Sequence, residues 1–144
     1  MSNGLVFVDT NVWVARIIEE HVFHQRALDK LNELSEHEEL FCISSQIIRE
    51  FISVCTLGRG LSRPLTWEEI QPQIDTLLSQ TVLLHENEAS IRKLVEIGKL
   101  HSVKGKQIHD TNIAATMLAH GLSRLLTFNP DDFKRFTEIE VIAP

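Results

Sequence analysis

Residues 5–11 read LVFVDTN: four apolar positions run without interruption into a carboxylate at Asp9, followed by Thr10 and Asn11. A short, continuous run rich in branched aliphatics is the pattern of a strand buried on both faces, as in a parallel sheet covered by helices. In open parallel sheets ligands bind beyond the carboxyl ends of the strands. Asp9 stands at such an end, where it can act either as the N-cap of the next helix or as part of a site.

Working outward from this strand, the apolar positions Val14, Ile17, Ile18, His21/Val22, Leu28, Leu31 and Leu34 recur at helical intervals and predict two helices bent near EEHVFHQ. ELFCIS reads as a second strand. SSQIIREFISVCTLG reads as a helix with Ser44 or Ser45 as N-cap and Gly58 near its end. After the Gly- and Pro-containing loop GRGLSRPL comes TWEEIQPQIDTLLSQ, with Thr66 and Glu69 in capping-box spacing and Pro72 predicting a late start or a kink. TVLLHE is a third strand. NEASIRKLVEIGKLHSV is a helix with Asn87 as cap, KGKQ a basic connector, and HDTNIAATMLAHG a helix stopped by Gly121. RLLTFN and EVIAP supply two final strands. The alternation predicts one α/β domain spanning residues 1–144, a mostly parallel central sheet of about 4–5 strands flanked by helices.

Composition agrees with that reading. The chain has 144 residues, 43% apolar and 24% charged, which suits a folded domain and argues against long disorder. No apolar run approaches the ~18 residues of a membrane span, and the opening MSNGLVFVDT lacks the basic start of a signal peptide, so a soluble cytoplasmic protein is expected. Cys42 and Cys55 lie in apolar segments and read as buried thiols, not as a disulfide or metal site. A net charge of −6 disfavours a binder that holds nucleic acid by bulk electrostatics. It leaves room for an enzyme that neutralises clustered carboxylates with divalent cations.

Further acidic residues stand at element ends. On a helical wheel Ile47, Ile48, Phe51, Ile52, Val54 and Cys55 share one face; Glu50 borders it, and Arg49 and Ser53 lie away from it. Glu50 is thus either a solvated helix residue or a carboxylate aimed across the sheet end. Asp110 falls in the first turn of its helix, where the dipole favours a carboxylate whether it caps or ligates. TFNPDDF, residues 127–133, offers Thr127, Asn129, Asp131 and Asp132, and also reads as an ordinary Asx-Pro turn. Together these hard oxygen donors suggest an acidic pocket suited to magnesium or manganese, not zinc.

At these residues the sequence resembles the PIN-domain ribonucleases, and most closely the VapC-like toxins of toxin–antitoxin pairs. VFVDTNVWVA resembles the family's opening motif, SSQIIREF its glutamate helix, HDTNIAATMLAHG its second aspartate helix and LLTFNPDDFKRF its closing motif, in the right order over nearly the whole chain. The resemblance implies a metal-dependent endoribonuclease with Asp9, Glu50 and Asp110 as catalytic and metal-holding acids and Mg2+, or Mn2+, as cofactor. A water activated by the ion would attack the RNA phosphorus in line, giving 5′-phosphate and 3′-hydroxyl ends. The family often has a fourth acid in its closing motif. Here Asn129 stands there, leaving Asn129 or Asp132 to complete the metal site. Thr10, Asn11, Ser45, Thr127 and His109 are expected around the acids as supporting residues. Arg59, Arg63, Lys104 and Lys106 are expected to hold RNA phosphates, or else to be solvated surface charges. An antitoxin partner and a homodimer follow from the same resemblance.

Other readings are open at this level. A haloacid-dehalogenase-type phosphotransferase also starts with an aspartate after its first strand, but uses Asp-x-Asp where this chain has Asn11. A receiver-like domain does not account for Glu50. A catalytically degenerate PIN scaffold, binding RNA or a partner without cutting, is the third. His21 and His24 look like half a zinc site that nothing completes. Trp13 and Trp67 read as packing or partner contacts.

Overall fold

A computed structural model describes residues 4–144; the first three residues, with the start of the opening stretch judged for a signal peptide, lie outside it. The elements are β1 (Leu5–Val8), α1 (Thr10–Ile17), α2 (His24–Glu36), β2 (Leu40–Ser44), α3 (Ser45–Leu57), α4 (Trp67–Gln80), β3 (Val82–Leu84), α5 (Glu88–His101), α6 (Gln107–Ala119), β4 (Arg124–Leu126) and β5 (Glu140–Ile142). A single 3-10 turn, Pro130–Asp132, interrupts the connection between the last two strands.

The five strands form one sheet in the order β3-β2-β1-β4-β5, with every pairing parallel. β1 is central, between β2 (Phe7 opposite Cys42) and β4 (Phe7 opposite Leu125). That position explains its sequence: Val6, Phe7 and Val8 are each wholly buried, and each such side chain contributes about 1.5–3 kcal/mol by leaving water.

The order of the strands also fixes where a cleft can open. The connections β1 to β2 and β2 to β3 step toward one edge, whereas the chain from β3 returns past β2 and β1 to β4. With right-handed crossovers throughout, the helices of the outward steps and those of the return lie on opposite faces of the sheet. The contacts agree: α1 packs on α2 and α3, α3 packs on α4, and α5 packs on α6. The direction reverses between β1 and β4, and their carboxyl ends therefore flank a crevice.

Local signals act largely as read. Asn87 and Ser90 form a reciprocal cap on α5, Thr66 and Glu69 one on α4, and Gly58 ends α3 in the left-handed region at φ 74°. Pro72 delays nothing: α4 starts at Trp67 and runs through it to Gln80, tertiary packing of Ile70 and Leu77 outweighing one lost backbone bond. α6 starts two residues before His109, taking Gln107 from the expected connector. Val22 belongs to no apolar stripe; it is 83% exposed in the loop between α1 and α2. Both cysteines are free and buried, and burial pushes their thiols up to about 11. Trp13 is core, with its indole N–H donating to Val8 O, whereas Trp67 is exposed. Among the described residues no helix is long and apolar enough to cross a membrane.

Candidate active site

At the crevice between β1 and β4, Asp9, Glu50, Asp110, Asn129 and Asp132 line one cavity of about 420 Å³. They come from the end of β1, the middle of α3, the first turn of α6 and the 3-10 turn after β4.

Asp9 is held most tightly. It occupies the N-cap position of α1, and its Oδ1 accepts the Thr10 N–H at 2.8 Å. Its Oδ2 accepts the Thr127 hydroxyl at 2.8 Å. Cap and site are therefore one role, since the cap bond leaves the carboxylate facing the cavity with a fixed rotamer. Thr127 is wholly buried and its Oγ1 also accepts the Asn129 N–H at 3.0 Å and the Asn11 side-chain N–H at 3.3 Å. The Asn11 Oδ1 accepts the Phe128 N–H at 3.1 Å. Asn11 and Thr127 thus pin the loop after β4 to the start of α1.

Glu50 and Asp110 are tied through a link that the sequence reading missed. Gln46, one turn before Glu50 and buried, donates from Nε2 to Glu50 Oε1 at 3.3 Å and to the His109 carbonyl at 2.9 Å. Its Oε1 accepts the Asn112 amide at 2.7 Å, and that same amide donates to Glu86. Gln46 and Asn112 hold the two acid-bearing helices side by side. The available signal was spacing, Gln46 four residues before Glu50 and Asn112 two after Asp110, but amide side chains at such positions are common.

Charge in the cavity is unbalanced. Among the described residues none of Asp9, Glu50, Asp110 and Asp132 makes an ion pair. Burial first, then the neighbouring charges of Asp9 and Asp110, push the Glu50 carboxyl up to about 7. Burial, then Asp132 and Asp9, push Asp110 up to about 6. Burial raises Asp9, against the bonds from Thr127 and Thr10 that favour its charged form. Asp132 raises both Asp9 and Asp110 by its charge, so the acid facing the other carboxylates from the closing loop is Asp132. Asn129 shares the wall and brings an amide.

The donor set fits a hard divalent cation. Clustered carboxylates that make no ion pair, with Arg49 near Glu50 and His109 and Arg135 near Asp110 offsetting their charge only in part, are stabilised by such an ion. Thr10 Oγ1, on the same wall, is buried and has no hydrogen-bond partner, a position that a hydrating water could satisfy. Among the described residues no three Asp, Glu, His or Cys side chains stand close enough together to hold an ion by themselves, so an ion in this cavity would keep part of its water shell.

The other expected site residues separate. Thr10 supports Asp9 through its backbone N–H and not its hydroxyl. Ser45 lies outside the cavity wall, its hydroxyl accepting from Arg49 at 3.3 Å; as the exposed first residue of α3 it faces solvent, not Asp9. His109 contributes its carbonyl to Gln46, and its charge lowers Asp110. Of the four basic candidates, Arg59 lines the cavity. Arg63 is engaged by Glu69 through two hydrogen bonds of 2.8 and 2.7 Å and lines a different groove with Glu20. Lys104 and Lys106 are exposed and lie off the cavity wall. His21 and His24 do not pair as ligands: His24 Nδ1 bonds the Ala15 carbonyl, while His21 lines the acidic cavity.

Fold and site define an α/β domain with an acidic cavity at the switch point of a parallel sheet. The model of the PIN domain matches residues 6–139, and the chain belongs to that family. Solved structures share its fold over nearly its whole length. VapBC2 from Rickettsia felis, bound to a DNA fragment from its promoter, is 22% identical with a TM-score of 0.70, covering 97% of this chain and 98% of that one. VapBC-1 from nontypeable Haemophilus influenzae is 19% identical with a TM-score of 0.68, covering 96% and 97%. VapC20 of Mycobacterium tuberculosis, a sarcin-ricin loop cleaving toxin, is 17% identical with a TM-score of 0.67, covering 90% and 94%. No curated protein matches the sequence.

Proposed function

We propose that this chain is a metal-dependent endoribonuclease, the toxin of a toxin–antitoxin pair acting in the cytoplasm. The observation that carries the proposal is the cavity itself: four carboxylates from four separate elements meet on one wall without an ion pair among the described residues. Such crowding destabilises the empty site and is retained where a cation and a polyanion are to be brought together. Membership of the PIN family and the shared fold with VapBC chains support the nuclease and toxin readings.

Asp9, Glu50 and Asp110 would hold Mg2+ or Mn2+, with Asp132 and Asn129 completing the shell. The bound ion supplies Lewis acidity toward phosphoryl oxygens and acidifies water. The chain does the rest. Asp9, fixed by Thr10 and Thr127, sets the centre of the site with little freedom to move. Glu50 Oε1 accepts from Gln46, leaving Oε2 to reach the ion directly or through a water. The Gln46–Asn112 link keeps Glu50 and Asp110 at a constant separation while RNA binds. Arg59, on the cavity rim, offers its guanidinium to a phosphate. Asp132 in the cavity weighs against a degenerate scaffold, because the acid that Asn129 does not supply is present three residues later.

The natural partners on this reading are an RNA, an antitoxin that covers the acidic cavity, and a second copy of the chain. The test is cleavage of an end-labelled RNA pool in Mg2+, Mn2+ or chelator, beside Asp9→Asn. Metal-dependent cutting that vanishes in the variant, with 5′-phosphate and 3′-hydroxyl ends, is the expected result. A 2′,3′-cyclic product rejects the water-attack route, and no cutting by folded, antitoxin-free protein rejects the nuclease.

A further inference from the structure

His21 lies in the loop between α1 and α2, far from the acids in sequence, yet it is among the residues that line the acidic cavity. Its Nδ1 accepts the Phe23 backbone N–H at 3.0 Å. An acceptor nitrogen carries no proton, so the neutral ring bears its hydrogen on Nε2. The ring therefore presents an N–H donor from a loop otherwise supplied with acids, Glu19 and Glu20.

That loop is not free to drift. Its backbone is closed by His21 N–H to Ile18 O and by His24 N–H to His21 O, both 3.0 Å. The Phe23 ring stacks on Phe128 with centroids 4.6 Å apart and planes 13° from parallel. Arg26 covers both rings, 4.9 Å from one centroid and 5.6 Å from the other. Phe128 is the residue between Thr127 and Asn129, and its N–H is already bonded to Asn11. The stack thus latches the loop that carries His21 to the loop that carries Asn129 and Asp132, and the imidazole is positioned before anything binds.

Electrostatics say what such a donor is for. Around this cavity the described wall carries four carboxylates, and Arg59 is its one Arg or Lys. A polyanionic backbone threading the cavity meets repulsion beyond the reach of the cation, so donors on the wall decide where its phosphates rest. Resting on the ribonuclease reading above, we propose that His21 is a substrate-binding residue whose Nε2–H holds a backbone phosphate oxygen of the RNA, with Arg59 serving a neighbouring phosphate.

Two substitutions divide the ring's two functions. In His21→Asn the amide oxygen can replace Nδ1 as acceptor for Phe23, while nothing reaches the position of Nε2. In His21→Gln the amide nitrogen can replace Nε2 as donor, while the acceptor for Phe23 is lost. The experiment measures kcat and KM for an RNA that the wild-type protein cuts, with thermal unfolding of each variant alongside. The expected result is that His21→Asn raises KM by about tenfold, the worth of one hydrogen bond to a charged group, with a smaller change in kcat. His21→Gln keeps a lower KM than His21→Asn despite a lower unfolding temperature. The reverse order, or equal losses that follow unfolding temperature, makes His21 a loop brace and overturns the proposal. Wild-type protein that cuts no RNA overturns the ribonuclease reading, and this proposal with it; a wild-type nuclease with unaffected His21→Asn overturns this proposal alone.

Discussion

Replacing Glu50 by glutamine should stabilise the metal-free protein while abolishing cleavage. The Gln46 bond survives, because the new amide oxygen can still accept it, so the perturbation is confined to charge. Glu50 titrates at about 7 in the folded chain against an ordinary 4.5. The folded state therefore retains a proton that the unfolded chain releases from pH ~4.5 upward, and stability is lost as pH climbs from there to about 7. At ~1.4 kcal/mol per pH unit the whole displacement is worth about 3 kcal/mol. Glu50 is only half-buried, and solvent screening reduces this to ~1–2 kcal/mol. For a chain of this size that corresponds to an unfolding temperature about 3–6 °C higher for the variant at pH 8 in chelator. At pH 4 the gap should shrink to ~0.2 kcal/mol, since both states then hold most of the proton. Saturating Mg2+ should narrow it at pH 8 by stabilising the wild-type carboxylate cluster. Scanning calorimetry at the two pH values, with and without the ion, makes the measurement. A variant no more stable than wild type at pH 8, or an equal gap at both pH values, would refute the account of Glu50 as a carboxylate held against repulsion.

Two further changes probe the scaffold. Thr127→Val removes the hydroxyl shared by Asp9, Asn11 and Asn129; it should cost ~1–3 kcal/mol in chemical unfolding and 10–100-fold in cleavage, about the usual effect of losing a ligand's orienting partner. Stability and activity both within error of wild type would remove Thr127 from the site. Gly58→Ala sets a side chain at φ +74°, its Cβ 2.7 Å from Pro64 N. It should lower stability by ~1–3 kcal/mol and raise KM for RNA by displacing the loop of Arg59. An unchanged unfolding temperature would show that the turn relaxes without strain.

The legible part of this protein was whatever neighbouring residues encode together. The apolar run before Asp9, the helical stripe of Ile47, Phe51 and Cys55, and the caps at Thr66 and Asn87 each lie within a few positions, so propensity and periodicity report them. With alternating strands and helices and right-handed crossovers, they also imply a parallel sheet with carboxylates at its carboxyl edge. Asp9, Glu50 and Asp110 stood out from that edge and from the family motifs, and the structure brings them to one cavity. Tertiary structure alone decided the rest. Asp9 meets Thr127 across 118 positions and Gln46 meets Asn112 across 66, distances over which sequence carries no local trace of contact. It took Arg63 out of the site by giving it to Glu69, left Lys104 and Lys106 in solvent, and turned Asp132 toward Asp9 and Asp110 beside Asn129. It also brought His21 to the cavity, because the stack of Phe23 on Phe128 sets that loop's position, and a ring contact between residues 23 and 128 exists only once the sheet has brought their loops together.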